Sequence, residues 1–132
     1  MRGSVVRAVG SVVDVRFEVG FTPEVRDALY VPETRCLLEV QAHLGPGLVR
    51  AISIRPTSGL KRGSEVERLG TGLTVPVGRE LLGRVIDVTG EPIDGGPPIV
   101  TEQRLAVHRP PPSPATHVTK TEPLWNGVKI LD

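Results

Sequence analysis

The chain has 132 residues, of which 39% are apolar and 3% aromatic; it carries one cysteine and a formal net charge of +1. That length suits one ordinary domain, or one small domain with part of a second, and it allows a core built on Val, Leu and Ile. The balance of 16 basic against 15 acidic residues gives no strong pull toward nucleic acid, a single cysteine excludes an internal disulfide and fits a reducing compartment, and no apolar run approaches a membrane span.

Taken in order, residues 2 to 76 read as a string of short strands. Met1-Arg2-Gly3-Ser4 has no apolar stretch resembling a secretory signal. Val5 to Val9 is one strand and Ser11 to Phe17 the next, with Gly10 between them. In the second, Val13, Val15 and Phe17 share a face while Asp14 and Arg16 point the other way, the period-two signature of a half-buried strand. A loop through Gly20 and Pro23 leads to Ala28 to Val31, which Pro32 ends because it has no N–H for a ladder. Cys36 to Leu44 places Leu38, Val40, Ala42 and Leu44 on one face, with Glu39, Gln41 and His43 opposite. Gly45-Pro46-Gly47 is a turn, and Leu48 to Ile54 returns as the second arm of a hairpin, with Leu48, Ile52 and Ile54 alternating around Arg50. After turns at residues 55–59 and 61–63, Ser64 to Leu69 and Leu73 to Val77 are further strands. Turn signals every eight to twelve residues point to a small closed barrel or a sandwich.

The texture changes near Pro76-Val77-Gly78. Leu81 to Val88 has apolar residues on both faces and reads as a buried strand or a helix-to-strand transition. Gly90 to Pro98 is too rich in breakers for regular structure. Pro110 to Pro114 holds four prolines and is expected to be extended. This half has too few apolar residues to offset its own ordering entropy and reads as a belt around something larger.

The search for chemistry assigns no catalytic, cofactor-binding or metal-ligating residue. His43, His108 and His117 lack metal spacing and Cys36 has no thiolate partner. Cys36 reads as a small apolar strand residue, His43 as a polar-face residue, and His108-Arg109 as a surface or interdomain contact pair. Asp14, Glu18, Glu39, Asp87 and Asp94 are candidate carboxylates that nothing in the sequence pairs; solvated positions are expected, with Asp87 and Asp94 bracketing a turn. There is no G-x-S-x-G elbow and no G-x-G-x-x-G; Gly45-Pro46-Gly47 and Gly70-Thr71-Gly72 are turns. Lys120 precedes Thr121, but no glycine frames the pair as a P-loop requires. The four aromatics, Phe17, Phe21, Tyr30 and Trp125, interleave with no basic stripe, which argues against base stacking.

Several stretches resemble the beta subunit of F-type ATP synthases. Gly3-Ser4-Val5-Val6 through Val12-Val13-Asp14-Val15-Arg16-Phe17 is similar to its opening strands. Leu38-Glu39-Val40-Gln41 through Val49-Arg50-Ala51-Ile52 resembles its hairpin. Gly59-Leu60-Lys61-Arg62-Gly63, Val75-Pro76-Val77-Gly78 and the run Leu82 to Asp94 follow in order, then Val107-His108-Arg109 and Gly127-Val128-Lys129-Ile130-Leu131-Asp132. The Pro97-Pro98 insertion and the Pro-rich run are more similar to an alternative, sometimes sodium-linked branch.

The resemblance implies an all-β fold, a small six-stranded closed β-barrel, followed by an incomplete start of an α/β P-loop nucleotide-binding domain. On that reading residues 1–76 are the crown domain and residues 77–132 the N-terminal edge of the nucleotide-binding domain. It implies alpha subunits as partners in an alternating hetero-hexameric ring on the cytoplasmic face of the membrane, with only indirect membrane contact and no nucleic acid. ATP or ADP with magnesium belongs to the full-length family and is not expected to bind tightly here, nor is hydrolysis expected from the chain alone. The sequence departs from the family in lacking the P-loop, the magnesium carboxylate, the water-orienting glutamate and the helical C-terminal domain, so the resemblance implies an N-terminal fragment as the expectation. Trp125-Asn126 departs from the polar pair that precedes this glycine in the family. The competing expectation is a free-standing small barrel that binds nucleic acid or another protein.

Overall fold

The computed structural model describes residues 1–18, 20–116, 120, 122, 123, 125, 127 and 130. Six strands form the barrel: β1 (Arg2–Val9), β2 (Val12–Phe17), β3 (Asp27–Val31), β4 (Cys36–Gly45), β5 (Leu48–Ser53) and β6 (Glu65–Gly72). Their order around the wall is β1-β2-β5-β4-β3-β6, every pairing antiparallel, and β6 closes back onto β1 through Arg2, Gly3 and Ser4. Closure leaves no free sheet edge, the hazard that a short open sheet would carry. The sandwich alternative is thereby set aside.

The interior is filled mainly by β-branched side chains. Val13, Val15 and Phe17 from β2 join Leu38 and Val40 from β4, with Val5, Leu29, Val31, Cys36, Val49, Ala51 and Val66 completing the cluster. Valine suits this position because its stiff branched side chain packs on a pleated strand, and each such burial contributes roughly 1.5–3 kcal/mol. Phe17 sits at one end, where its ring meets Phe21 edge-on at 5.9 Å.

Two expected faces are corrected. In β5 the inward residues are Val49 and Ala51, both 0% exposed, while Ile52 is 40% exposed. Both faces of this strand carry apolar side chains, so periodicity alone could not choose; the pairing Val13↔Ala51 and Val15↔Val49 does. In β4, irregularities in register between Val40 and Ala42 and between His43 and Gly45 break the alternation. Leu44 therefore ends on the outside, and the face expected to run from Leu38 to Leu44 stops at Val40. The hairpin loop is two residues, Pro46 and Gly47, since Gly45 already pairs with Leu48.

Beyond Gly72 the chain leaves the barrel. The strand read from Leu73 to Val77 is β7 (Thr74–Val77), and it pairs with β8 (Gln103–Ala106) in a separate two-stranded sheet. β8 had no sequence signal of its own. Leu81 to Val88 is neither a buried strand nor a helix-to-strand transition. It begins in a single 3-10 turn (Arg79–Leu81), and Leu82, Val85 and Val88 are exposed. Only the bridge Ile86↔Pro92 adds ladder pairing in the breaker-rich stretch. Pro114 opens a 3-10 turn (Pro114–Thr116) rather than ending an extended run.

Candidate assembly surface and barrel junction

The chemistry-bearing side chains lie on the outer wall of the barrel and where the later segment crosses it. On the wall, Asp14 of β2 faces Arg50 of β5, its ladder partner. The guanidinium binds both carboxylate oxygens, Nε to Oδ1 at 2.8 Å and Nη2 to Oδ2 at 3.0 Å. This fork holds the Asp14 carboxyl below the usual carboxylate range. Next to it, Val9, Val12 and Ile52 are consecutive cross-strand neighbours, Val9↔Val12 and Val12↔Ile52, and all three are exposed. They form an apolar patch with Arg7, Asp14 and Arg50 beside it.

A second ion pair sits at the opposite seam. Asp27, at the start of β3, accepts Arg68 Nε at 2.7 Å and the Glu24 N–H at 2.8 Å. The Arg68 guanidinium also lies 5.4 Å from the centre of the Phe21 ring. Its hydrogen bond to Asp27 raises the Arg68 pKa further.

Three polar clasps tie the later segment to the barrel and to itself. Arg55, just beyond β5, uses Nη2 to reach Asp87 Oδ2 at 3.1 Å, Thr89 Oγ1 at 2.8 Å and Glu91 Oε2 at 2.8 Å. Burial alone would raise Asp87. The Thr89 hydroxyl and the backbone N–H groups of Glu91 and Thr89, with Arg55 beside them, outweigh it and leave the carboxyl lowered. Arg84 makes a two-pronged pair with Asp94 at 2.6 and 3.0 Å, and Asp94 also accepts the N–H groups of Val85 and Gly96. The Arg84 bond and these N–H groups drive Asp94 far below the usual range. Finally, His108 Nε2 lies 3.2 and 3.3 Å from the two oxygens of Glu39.

Asp87 and Asp94 thus organise the turn, as their position in the sequence suggested. The solvated placement expected for the other carboxylates is corrected at two of them. Glu39 is 6% exposed and Asp14 8%, because each is covered by a cationic or imidazole partner. Glu39 meets a residue 69 positions away, which no local pattern could reveal. Asp27 was missed altogether; its signal was only an acid at a strand start. Among the described residues His43 bonds no carboxylate; its Nε2 instead lies 2.7 Å from the Pro23 carbonyl oxygen. Cys36 is buried, 3.0 Å from the Ser53 hydroxyl. Among the described residues no group of three or more His, Cys, Asp or Glu is placed to hold a metal. His117, and Val128, Lys129, Leu131 and Asp132 of the closing run, lie outside the described residues.

The fold and its wall define a class: a closed six-stranded antiparallel barrel filled by apolar side chains, with a mixed apolar and ionic exterior. Residues 5–70, half of the chain and nearly all of the barrel, match the ATP synthase alpha/beta family, beta-barrel domain. The chain belongs to that family. No helix among the described residues is long and apolar enough to cross a membrane.

Proposed function

We propose that the chain acts as the ring-forming part of an ATP synthase beta subunit, associating through its barrel with alpha subunits in an alternating hetero-hexamer. The observation that carries this reading is the family match over a closed barrel whose exterior holds an uncovered apolar patch, Val9, Val12 and Ile52. Exposed apolar side chains that adjoin across three strands favour a protein partner, and the Asp14–Arg50 pair beside them supplies polar register. The assignment to beta rests on the resemblance in Leu82 to Asp94, and the sodium-linked branch on Pro97-Pro98 and the Pro-rich run. In this proposal the assembly is peripheral, on the cytoplasmic face of the membrane, and works in ATP synthesis or hydrolysis coupled to ion transport.

The nucleic-acid alternative has less behind it. Phe17 is buried and Phe21 packs against the core beneath Arg68, so neither is presented for base stacking. The 132 residues also hold no P-loop motif, and phosphoryl transfer depends on positioning and charge stabilisation that such a loop supplies; the chain alone is proposed to be catalytically silent.

The test is co-assembly with a purified alpha subunit, followed by sedimentation velocity. Wild-type chain is expected to co-sediment with alpha. Val12→Glu combined with Ile52→Glu is expected to abolish the complex while the circular dichroism spectrum and melting temperature of the chain stay near wild type. Undiminished association of the double variant, or none by wild type, overturns the proposal.

A further inference from the structure

An open cleft of about 410 Å³ lies where the later segment crosses the barrel, lined among others by Tyr30, Arg35, Leu37, Arg55, Glu91 and Arg104. Three guanidinium groups from three separate elements converge on it: Arg35 from the β3–β4 turn, Arg55 from beyond β5 and Arg104 from β8. Their partners are unequal. Arg55 meets both nearby carboxylates, Asp87 and Glu91, through Nη2 alone. Among the described residues Arg104 bonds only neutral oxygens: Nε to Thr74 Oγ1 at 3.1 Å, and Nη2 to the carbonyls of Thr74 at 3.0 Å and Thr89 at 3.1 Å. Arg35 makes no side-chain hydrogen bond or ion pair among the described residues, and neither does the Tyr30 hydroxyl.

Apart from Glu91 Oε1 and the Tyr30 hydroxyl, the side-chain hydrogen-bonding capacity left in the cleft is that of guanidinium donors. Arg104 keeps both Nη1 protons, Arg55 keeps its Nε and Nη1 protons, and Arg35 keeps all five of its N–H groups. The carbonyls that grip Arg104 along one edge fix the direction of the other edge. A site that offers converging donors and excess positive charge is matched by a ligand that only accepts and is negative. A flat carboxylate accepts in one plane, whereas donors reaching in from three elements suit a tetrahedral oxyanion.

Backbone geometry supplies a second, independent observation. Arg35 has φ 53°, in the left-handed region where glycine or asparagine sits more easily. An arginine held there carries a conformational cost that its side chain does not recover through any hydrogen bond or ion pair among the described residues.

We propose that this cleft binds a phosphate-class oxyanion, as free phosphate or as the phosphate of a monoester, between Arg35 and Arg104. The bound anion bridges the barrel and β8 and so fastens the later segment to the wall. The inference stands apart from ring assembly and survives if that reading fails.

The experiment is calorimetric titration of the chain with inorganic phosphate and, separately, with glycerol phosphate, at constant ionic strength, with acetate as the carboxylate control. Saturable binding of phosphate, tighter than acetate, is expected. Arg35→Gly and Arg104→Gln are each expected to weaken it about tenfold or more, while Arg79→Ala, outside the cleft, leaves it unchanged. Arg35→Gly relieves the left-handed residue, so its melting temperature should hold even as binding is lost; that combination separates a ligand-binding role from a structural one. Glycerol phosphate binding more tightly than phosphate assigns the monoester as the source, and the reverse assigns the free ion. A non-saturating response, acetate binding equally well, or unaltered binding in both cleft variants overturns the proposal.

Discussion

Gly10 and Gly47 close two hairpins of the same barrel, both with left-handed φ, 58° and 65°. They differ in what a methyl group would meet. At Gly10 a Cβ has nothing within 4 Å; at Gly47 it would stand 2.9 Å from the Phe17 carbonyl oxygen and 3.5 Å from that of Glu18. That carbonyl cannot easily retreat, because the Phe17 N–H donates to the Gly47 carbonyl at 2.7 Å and the Gly47 N–H donates to Thr22 Oγ1 at 3.1 Å. A left-handed alanine costs roughly 1–2 kcal/mol, and this is the whole expected effect of Gly10→Ala. Gly47→Ala adds a backbone clash of about 1–2 kcal/mol, on the scale of overpacking strain. For a domain of this size about 1 kcal/mol moves the melting temperature by roughly 4–8 °C, so Gly47→Ala should melt about 4–16 °C below Gly10→Ala. Thermal unfolding followed by circular dichroism, with a two-state check by a second probe, measures the gap. Equal melting temperatures would refute the claim that the close approach at Gly47, rather than its φ alone, restricts that position.

Other expectations follow from the same geometry. Leu38→Ala removes a fully buried side chain from the middle of the barrel and should cost about 2–5 kcal/mol in urea unfolding. Arg55→Ala should raise hydrogen exchange at the Thr89, Glu91 and Ile93 amides, whose bonds depend on the turn it clasps, while amides of β2 and β4 keep their protection. The carboxyls of Asp14, Asp87 and Asp94 have folded-state pKa values below their unfolded ones. Their ionised forms stabilise the fold above the usual carboxylate range, and that contribution is lost as pH falls through this range toward the lower folded-state values. Urea midpoints should therefore be level near neutrality and drop toward about pH 3, less steeply in Asp14→Asn. The buried Cys36 thiol should react with an aromatic disulfide reagent only as fast as the barrel opens; labelling of native protein at the rate of a free thiol would contradict its burial.

Much of the barrel was legible in the sequence because its signals are local. The alternation Val13, Val15, Phe17 around Asp14 and Arg16 reports a strand with one dry face, and the structure buries those three residues. Gly10 and Pro46-Gly47 fall between strands because left-handed or proline-fixed backbone ends a ladder, while Gly45 still pairs with Leu48. The ordered set of short motifs likewise led to the family found over residues 5–70. Tertiary structure decided what alternation leaves degenerate. With apolar residues on both faces of β5, only its pairing with β2 could turn Val49 and Ala51 inward and Ile52 outward. Irregular register in β4 shifted parity and put Leu44 outside. Thr74–Val77 had the texture of a barrel strand, yet with β6 already closing onto β1 it found its partner in Gln103–Ala106. The junction was the least visible, since Glu39 with His108, Arg55 with Asp87, and the cationic cleft are each assembled from residues far apart in the chain. Periodicity records how a residue sits relative to its neighbours in sequence; only closure of the barrel determines which distant side chains share a surface.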